Sequence, residues 1–558
     1  MMNKPTILWK RYQEALSYKN KVKLESIWEE CENFIEGKHW PTPTPRTKNM
    51  PRPVINICSM IAENKKSNIL SSKIKLLYRP HEVFFNLEKA SEGADIFTKF
   101  AEHMAKELRQ EDLDDEAQDY ATQLGSYALH YFWDNEVIGG VQSPFFGAMR
   151  GEVIHPKNIF FANPAEKDEQ KQAWIQIVSD ELVEVVRNRA KKNGISNWYD
   201  IKADNEATDE EFKDKETCRV ITQYSRVNGK VVWEQSTKDV QVQKPTYWEP
   251  KLNKSKIKKE DMEEPKEPDV ASTNSVFRKQ LYPIVFGSHK NRKNSIYGIG
   301  EVEQAIPNNK AVDFNVGMML LSVQQTAWPK ILQKANALAR QVITNAPGEI
   351  LTDNTKGNSW GVQYMNGGNF NPQALQLTNA LIDLTRTTTG STEVVTGEVL
   401  GANMAASAII ALQNQAKKPV EMYQKKYYRT YEKIGAIWLQ FFKCYYNDGR
   451  LFSYEEDGHQ YLAQMNGNNY EDYDYSMDVE VGAGGQWSES LSISLLDNLK
   501  ASQDIDTDDY IELYPESIMT FKKKLKQIRE RKKQEQLQQL MYQQSIPTNI
   551  SNQGLNQQ

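Results

Sequence analysis

The chain contains 558 residues, of which 26% are charged, and it carries a net charge of −5 and four cysteines. This length exceeds a single small core and predicts two to four domains, while the nearly balanced charge argues against a protein that grips nucleic acid by bulk positive charge. The cysteines are scattered without a CxxC pair, which indicates neither a zinc site nor a disulfide framework and favours thiols in a reducing cytoplasm. The first residues lack the apolar core of a secretion signal, so we expect no secretion.

The N-terminal part of the chain is predicted to be helical. Residues 10–36 place apolar side chains at a helical period and end at Gly37, which predicts one amphipathic helix. The prolines of residues 40–53 exclude a helix or a central strand. Residues 54–72 are again typical of a helix, and residues 95–123, rich in Ala, Glu, Leu and Lys, predict another long helix.

Strands are predicted next. Residues 126–134, 151–164 and 173–180 are rich in aromatic and β-branched side chains between Gly, Pro and Asn breaks. Residues 218–236 contain Asn228-Gly229 between two alternating runs, which predicts a hairpin. The mixed-charge, proline-bearing residues 249–272 are expected to be solvated and mobile.

The second half returns to helices. Residues 300–325 and 372–386 predict two helices around a β-like region, and residues 403–446 predict a long helix in which Pro419 marks a break or kink. Residues 474–490 predict a strand and a turn. Helices are expected again from residue 493 to 544, followed by a Gln- and Asn-rich tail.

The uncharged, alanine-rich residues 399–416 need a separate explanation. A membrane span is excluded because five polar side chains would enter the lipid: Asn403, Ser407, Gln413, Asn414 and Gln415. Taken alone, the composition favours a helix buried within one subunit.

No motif indicates a catalytic chemistry. The sequence lacks a phosphate-binding GxxxxGK[ST], a GxGxxG that opens a helix, HExxH and GxSxG. Its seven histidines are isolated in sequence, which favours surface or core positions over catalysis. We therefore expect no catalytic residue, no metal ion and no cofactor.

Three charged clusters have alternative interpretations. The acids of residues 504–509 fit an acidic helix start better than a calcium loop, which needs Gly and Glu where this chain has Asp509 and Pro515. An acidic strand face is favoured over a two-metal nuclease site for Glu471, Asp472, Asp474, Asp478 and Glu480. A solvated helix face is favoured over phosphate contact for Lys522, Lys523, Lys524, Lys526, Arg529, Arg531, Lys532 and Lys533.

The order of several segments resembles that of portal proteins, the head-to-tail connectors of tailed double-stranded DNA bacteriophages. Gly-x-x-Trp at residues 37–40 ends one helix and an Arg-Pro segment at residues 52–53 precedes the next, as in that family. Residues 156–164 are similar to its Pro-x-Asn-x-Phe-Phe-x-x-Pro strand. The approach to its first stem helix is matched by Tyr297, Gly298, Gly300 and Glu301. Residues 479–490 and 505–515 look like the approach to its crown, so the resemblance covers most of the chain.

The resemblance implies an α+β subunit with a β-rich wing, a helical stem, a small α/β clip and a helical crown, assembled as a cyclic ring. We therefore expect the following division: 1–299 as N-terminal helices and wing, 300–325 as stem helix, 326–371 as clip, 372–388 as second stem helix, 389–404 as tunnel loop, 405–495 as long helix and wing return, 496–545 as crown helices, and 546–558 as a disordered tail.

The same resemblance implies three sets of contact residues. The tunnel loop is expected to face DNA with Glu393, Val394, Val395, Thr396, Glu398, Asn403 and Met404. The clip is expected to meet DNA or a docked terminase or adaptor, with packing or subunit contacts as the alternative, through Lys330, Lys334, Arg340 and Trp360. The crown is expected to present Lys522, Lys523, Lys526 and Arg529.

In this context the neutral residues 399–416 suit a constriction through which DNA slides, because bound Lys or Arg would grip the phosphates. Small alanines also let copies of the helix approach closely around a ring. The sequence departs from many relatives at Ala406, where they carry Gly, so the bend into the helix is left open.

The function implied is that of a non-enzymatic portal subunit. About twelve copies would occupy one capsid vertex after assembly in the host cytoplasm, and would serve genome packaging, retention and ejection and the joining of head to tail. The implied partners are other copies, double-stranded DNA, terminase, major capsid and scaffold proteins, and head-completion or tail adaptor proteins, with no membrane. The alternatives are a metal-dependent nucleic-acid-processing enzyme and another virion structural protein, such as a scaffold or tail adaptor.

Overall fold

The structure is a computed structural model that describes residues 6–45, 47–81, 86–140, 145–204, 216–254, 280–327, 331–333, 362–364, 372–391, 406–456, 459–481, 496–497, 499–502, 505–514, 524–525 and 528–535. The chain forms two compact units. The first comprises residues 1–70, 76–451 and 464–479, and the second comprises residues 71–75, 452–463 and 480–558. Helices and strands are mixed in the described residues, which confirms the α+β class.

The N-terminal region of the first unit forms helices α1 (Ile7–Val22), α2 (Leu24–Ile35) and α3 (Ile57–Ile69). The single helix predicted for residues 10–36 is therefore wrong. Lys23 has a left-handed conformation with φ of 60°, and its N–H donates to the carbonyl oxygens of Asn20 and Lys19, which closes α1. As predicted, the described part of the proline-rich segment between α2 and α3 contains no helix or strand.

The helix predicted for residues 95–123 is also two helices, α4 (Leu87–Glu107) and α5 (Gln110–Leu124). Arg109 separates them with φ of 51°, again in the left-handed region. The first residue of α5, Gln110, is buried, and its side-chain oxygen accepts a hydrogen bond from the Tyr131 hydroxyl at 2.9 Å, so the new helix starts at a packed residue. Helix propensity summed over residues 95–123 does not reveal that a single residue, Arg109, has a left-handed backbone conformation.

Two antiparallel sheets form the β-rich part of the first unit. One has the order β3-β2-β9 and consists of β2 (Ser126–Gly139), β3 (Phe145–Ile154) and β9 (Ile284–Ser288). The other follows chain order and consists of β4 (Ile159–Phe161), β5 (Trp174–Leu182), β6 (Thr217–Val227), β7 (Lys230–Ser236) and β8 (Gln241–Tyr247). The predicted hairpin is confirmed, because Asn228 and Gly229 both have positive φ in the turn between β6 and β7. Helix α6 (Val183–Lys192) buries Val186 and Ala190 in an apolar cluster with β6 and β8 side chains.

Three long helices follow. The predicted helices near residues 300–325 and 372–386 are present as α7 (Glu301–Ala327) and α8 (Gln373–Thr389), which pack on each other. Helix α9 (Ala406–Cys444) continues through Pro419, so no break occurs there. Between α7 and α8, β10 (Ile331–Gln333) pairs antiparallel with β11 (Val362–Tyr364).

The aromatic core of the first unit lies where α9 packs on α4 and β2. The ring centroids of Phe100 and Phe442 are 4.8 Å apart, and those of Tyr131 and Trp438 are 5.8 Å apart. All four side chains are buried. The second half of α9 is therefore anchored by large aromatic side chains, which bury the most apolar area per residue.

The remaining described strands form two further sheets of two strands each. Strand β1 (Ile74–Pro80) pairs with β14 (Tyr475–Val481), and β12 (Arg450–Glu456) pairs with β13 (His459–Met465). In the second unit, α10 (Thr507–Leu513) begins with a capping box between Asp506 and Asp509. This confirms the acidic helix start. No helix in the described part of the chain is long and apolar enough to cross a membrane.

Candidate functional site: the base of the α7–α8 pair

A close-packed glycine turn brings the chain into α7. A Cβ atom on Gly298 would lie 2.2 Å from the carbonyl oxygen of Gly125, and one on Gly300 would lie 2.4 Å from that of Gln123. Tyr297 is fully buried, and its hydroxyl donates to the carbonyl oxygen of Ile159 at 2.9 Å. The glycines are therefore required because two backbones touch here, which fixes the direction in which α7 leaves the body.

Glu301, the first residue of α7, is completely buried and ion-paired. Its carboxylate accepts hydrogen bonds from His289 at 3.0 Å and Lys290 at 2.9 Å. Burial opposes ionisation of Glu301, but the hydrogen bonds and charges of His289 and Lys290 outweigh it and lower the pKa to about 2. Burial lowers the pKa of His289, and its ring stacks on Tyr423 of α9 with centroids 4.3 Å apart. The start of α7 is thus joined to β9 and α9 through one carboxylate.

A second polar clamp lies three turns further along α7. The Asp313 carboxylate contacts Nδ1 of His39 at 2.6 Å and accepts the backbone N–H of Ile55 at 2.8 Å. Asn309 accepts the N–H of Ile57 at 3.0 Å, and both Asn309 and Asp313 are buried. Because Ile57 is the first residue of α3, Asn309 satisfies a helix N–H that has no partner within α3. The clamp therefore ties α7 to the segment between α2 and α3.

Helix α9 is fastened to the body by two further buried carboxylates. The Tyr431 hydroxyl donates to Asp114 of α5, and Lys433 donates to both oxygens of Glu169 at 2.8 and 2.9 Å. Burial raises the pKa of Asp114 to about 6, although hydrogen bonds from Tyr431 and Gln110 oppose the shift. Burial also raises the pKa of Glu169. These contacts position the helix that follows the expected tunnel loop.

Beyond Gly317, the exposure of α7 changes. Gly317 is buried against the proline-rich segment, with Pro51 O 3.1 Å from the position of a Cβ atom. Further out, large apolar side chains on α7 and α8 are 42–56% exposed: Met318, Leu320, Val323, Leu375 and Leu377. Nearer the body, Leu384 is 59% exposed. Phe314 is also 52% exposed. No charged residue occurs in residues 314–327 or 373–382. The outer parts of both helices therefore present an uncharged apolar surface, which in a soluble monomer is uncommon and marks an interaction site.

Most contact residues expected from the sequence lie outside the described residues. These are Glu393, Val394, Val395, Thr396, Glu398, Asn403, Met404, Lys330, Lys334, Arg340, Trp360, Lys522, Lys523 and Lys526. Arg529 is described, in a helical segment of the second unit, and is half-buried. The assignments of all these residues stay predictions.

The acidic residues 471–480 do not converge. Glu471 pairs with Lys251 at 2.8 Å, and Asp478 pairs with Arg79 at 3.1 Å. Among the residues that the structure describes, no group of three or more His, Cys, Asp or Glu side chains is placed to hold a metal ion. The geometry gives the nuclease alternative no support.

Sequence reasoning missed the histidine–carboxylate pairs. The histidines are isolated in sequence, but several meet acids from other elements: His39 with Asp313, His130 with Glu152, His155 with Glu32, and His289 with Glu301. No spacing in the sequence signals these pairs, because the partners lie on separate elements. Two of the four acids belong to α7, which makes this helix the centre of the buried polar contacts.

The comparison with known families agrees with this architecture. The family model described as Phage P22-like portal protein matches residues 9–486, which include every helix from α2 to α9. The chain belongs to this family. No match was found among curated proteins. Membership establishes a phage portal function, confirms the family predicted from the sequence, and places the chain in a structural rather than an enzymatic family.

We predict that Glu301→Gln lowers stability by about 2–4 kcal/mol, because removing one partner of a buried ion pair leaves Lys290 without its countercharge. Since the folded pKa of Glu301 is lowered, its contribution is present above its unfolded pKa and is lost as the pH falls towards 2. Chemical unfolding at pH 7 and melting between pH 5 and 3 measure both effects. Glu303→Gln, which breaks a more exposed pair with Arg292, is the control and should cost less. Equal losses in the two variants would contradict the prediction.

We predict that Asp114→Asn removes a pH dependence of the melting temperature. The folded pKa of Asp114 is raised, so its contribution to stability is complete below the unfolded value and is lost as the pH rises through about 6. Wild type should therefore lose more stability between pH 5 and 8 than the variant does. Asp115→Asn, on the same helix but exposed and paired with Lys66, is the matched control. A pH profile unchanged by Asp114→Asn would refute the assignment.

Proposed function

We propose that about twelve copies of this chain form a closed ring whose axial channel carries double-stranded DNA. The observation that supports the ring is the uncharged apolar surface on the outer parts of α7 and α8. Leu320 and Val323 on α7 and Leu377 on α8 are each at least 42% exposed. Burial of each such side chain is worth about 1.5–3 kcal/mol, so neighbouring helix pairs gain by covering one another.

The domains are proposed to follow the division expected from the family. Helices α7 and α8 are the stem, the residues between them form the clip, and residues 389–404 form the tunnel loop ahead of α9. The expected loop residues carry two acids, Glu393 and Glu398, and no Lys or Arg. Such a loop repels phosphates and lets DNA slide, because each phosphate neutralised by Lys or Arg adds salt-dependent affinity.

The partners are proposed by region. Lys330, Lys334, Arg340 and Trp360 of the clip meet terminase during packaging and a head-completion or tail adaptor afterwards. The crown residues Lys522, Lys523, Lys526 and Arg529 face the interior of the ring. Major capsid and scaffold proteins surround the subunits at one capsid vertex. The ATP hydrolysis that drives packaging belongs to the terminase, in line with the missing phosphate-loop motif.

The mass and symmetry of the purified protein test the proposal first. Native mass spectrometry and negative-stain class averages should show rings of about twelve subunits around a channel wide enough for B-form DNA. A protein that stays monomeric at high concentration, with and without its scaffold protein, would contradict the ring. Magnesium-dependent cleavage of DNA that is lost on mutating Asp472 would instead support the nuclease alternative.

We predict that Leu320→Glu abolishes the rings while leaving the subunit folded. The side chain is 42% exposed in one subunit, so the charge is tolerated there, but burial at a subunit contact leaves it unpaired. Gln325→Glu adds the same charge to the exposed end of the same helix and is the control. Ring fraction is measured by sizing chromatography with light scattering, and fold by circular dichroism. Rings from Leu320→Glu as abundant as from the control would contradict the prediction.

We predict that Glu398→Lys slows packaging without changing ring assembly. The substitution reverses one charge per copy in the expected tunnel loop and adds phosphate contacts that must be broken during movement. Packaging rates in a reconstituted system should fall, and more so at low salt. Equal packaging rates for wild type and Glu398→Lys at all salt concentrations would contradict the assignment of Glu398 to the channel wall.

A further inference from the structure

The outer parts of α7 and α8 carry two separate exposed apolar rows. On α7, Phe314 and Met318 are spaced i, i+4 and are 52% and 42% exposed. On α8, Leu377 and Leu384 are 54% and 59% exposed and lie on one face with Ala380 between them. An adjacent face of α8, about a quarter to a third of a turn around the helix, carries Thr378, Thr385 and Thr389, which are all buried. Neither row is covered within the described residues.

The two rows reach the same height above the base of the helix pair only at Phe314 and Leu377. Lys65 of α3 marks the base, because its Nζ is 3.3 Å from the position of a Cβ atom on Gly390 and 5.5 Å from the ring centroid of Tyr423, which stacks on the His289 partner of Glu301. Phe314 lies 13 residues beyond Glu301, and Leu377 lies 13 residues before Gly390. With a rise of 1.5 Å per residue, both lie about 20 Å from the base.

A cyclic ring decides which surfaces can meet. A surface contacts the same surface of another subunit only across a two-fold axis. In a cyclic ring of more than two subunits, each contact instead joins two different surfaces of neighbouring subunits, and these lie at the same height along the ring axis. The outer end of the α8 row therefore needs a different, apolar surface on the neighbour, and Phe314 at the inner end of the α7 row supplies one at the matching height. Opposite charges lie nearer the body than these two side chains: Lys310 one turn before Phe314, with a half-exposed side chain, and exposed Asp383, six residues after Leu377 on α8.

We infer that Phe314, at the inner end of the α7 row of one subunit, docks on Leu377, at the outer end of the α8 row of the next, with Lys310 facing Asp383. This contact between neighbouring subunits rests on the ring assembly proposed above. The contact is apolar at its centre and carries one complementary charge pair at its inner end, where the pair sets the register of the helices. Lys310 also pairs with Glu30 of its own subunit, so Asp383 joins an existing charged contact.

Disulfide formation between two separately made variants, each with one added cysteine, tests the pairing. Phe314→Cys and Leu377→Cys proteins are mixed, assembled into rings and oxidised, so any new disulfide joins two chains. A disulfide needs Cβ atoms about 3.5–4.5 Å apart, which makes it specific for this contact. We expect a covalent dimer on a non-reducing gel from the mixture and none from either variant alone. Wild type, with Cys444 only partly buried, controls for native thiols.

Asn379→Cys is the matched control, because Asn379 is exposed on α8 only two residues from Leu377 but lies on its polar side. Intact rings that give no dimer, or a dimer of equal yield with Asn379→Cys, would overturn the pairing while leaving the ring itself established. If the wild-type protein forms no rings, the proposed ring is contradicted, and the contact between Phe314 and Leu377 is contradicted with it. As a second measurement, Leu377→Asp should lower the ring fraction about tenfold or more and Asn379→Asp should not, because only the former buries an unpaired charge.

Discussion

One buried carboxylate governs how the long helix leaves the body of the subunit. Glu301 lies at the junction of α7, β9 and α9, and it remains ionised because His289 and Lys290 replace the water that burial removes. The glycine turn immediately before it permits this position, since no side chain fits between Gly298 and Gly125. Every surface that α7 and α8 present further out depends on the direction set here.

The sequence predicts the elements that repeat a simple period and misses those that depend on one residue. The Asn228-Gly229 hairpin and the helices α7 and α8 follow from local pattern. The reversals at Lys23 and Arg109 do not, because a left-handed lysine or arginine has no sequence signature and is held by tertiary packing. Pro419 was expected to break or kink α9, and the helix continues through it without a break.

Part of the candidate site could be recognised in the sequence, and part could not. The residues Tyr297, Gly298, Gly300 and Glu301 were recognisable as a family signature, and the structure gives them a physical reason in close backbone contact and a buried ion pair. The clamp between His39 and Asp313 was not recognisable, because its partners are 274 residues apart in the chain. Exposed leucines on α8 are also invisible in sequence, where an apolar side chain looks the same whether its own subunit or another covers it.

The spacing of the buried contacts on α7 has a mechanical consequence. Glu301, Asn309 and Asp313 attach the helix to two separate segments, residues 289–290 and residues 39–57, over twelve residues, a length of about 18 Å. A pull along the helix axis is therefore divided among several bonds that lie side by side, rather than falling on the first turn alone. We therefore expect residues 301–317 of α7 to move with the body of the subunit as one rigid unit. Bending of the helix is expected beyond Gly317, where α7 has no such attachments among the described residues.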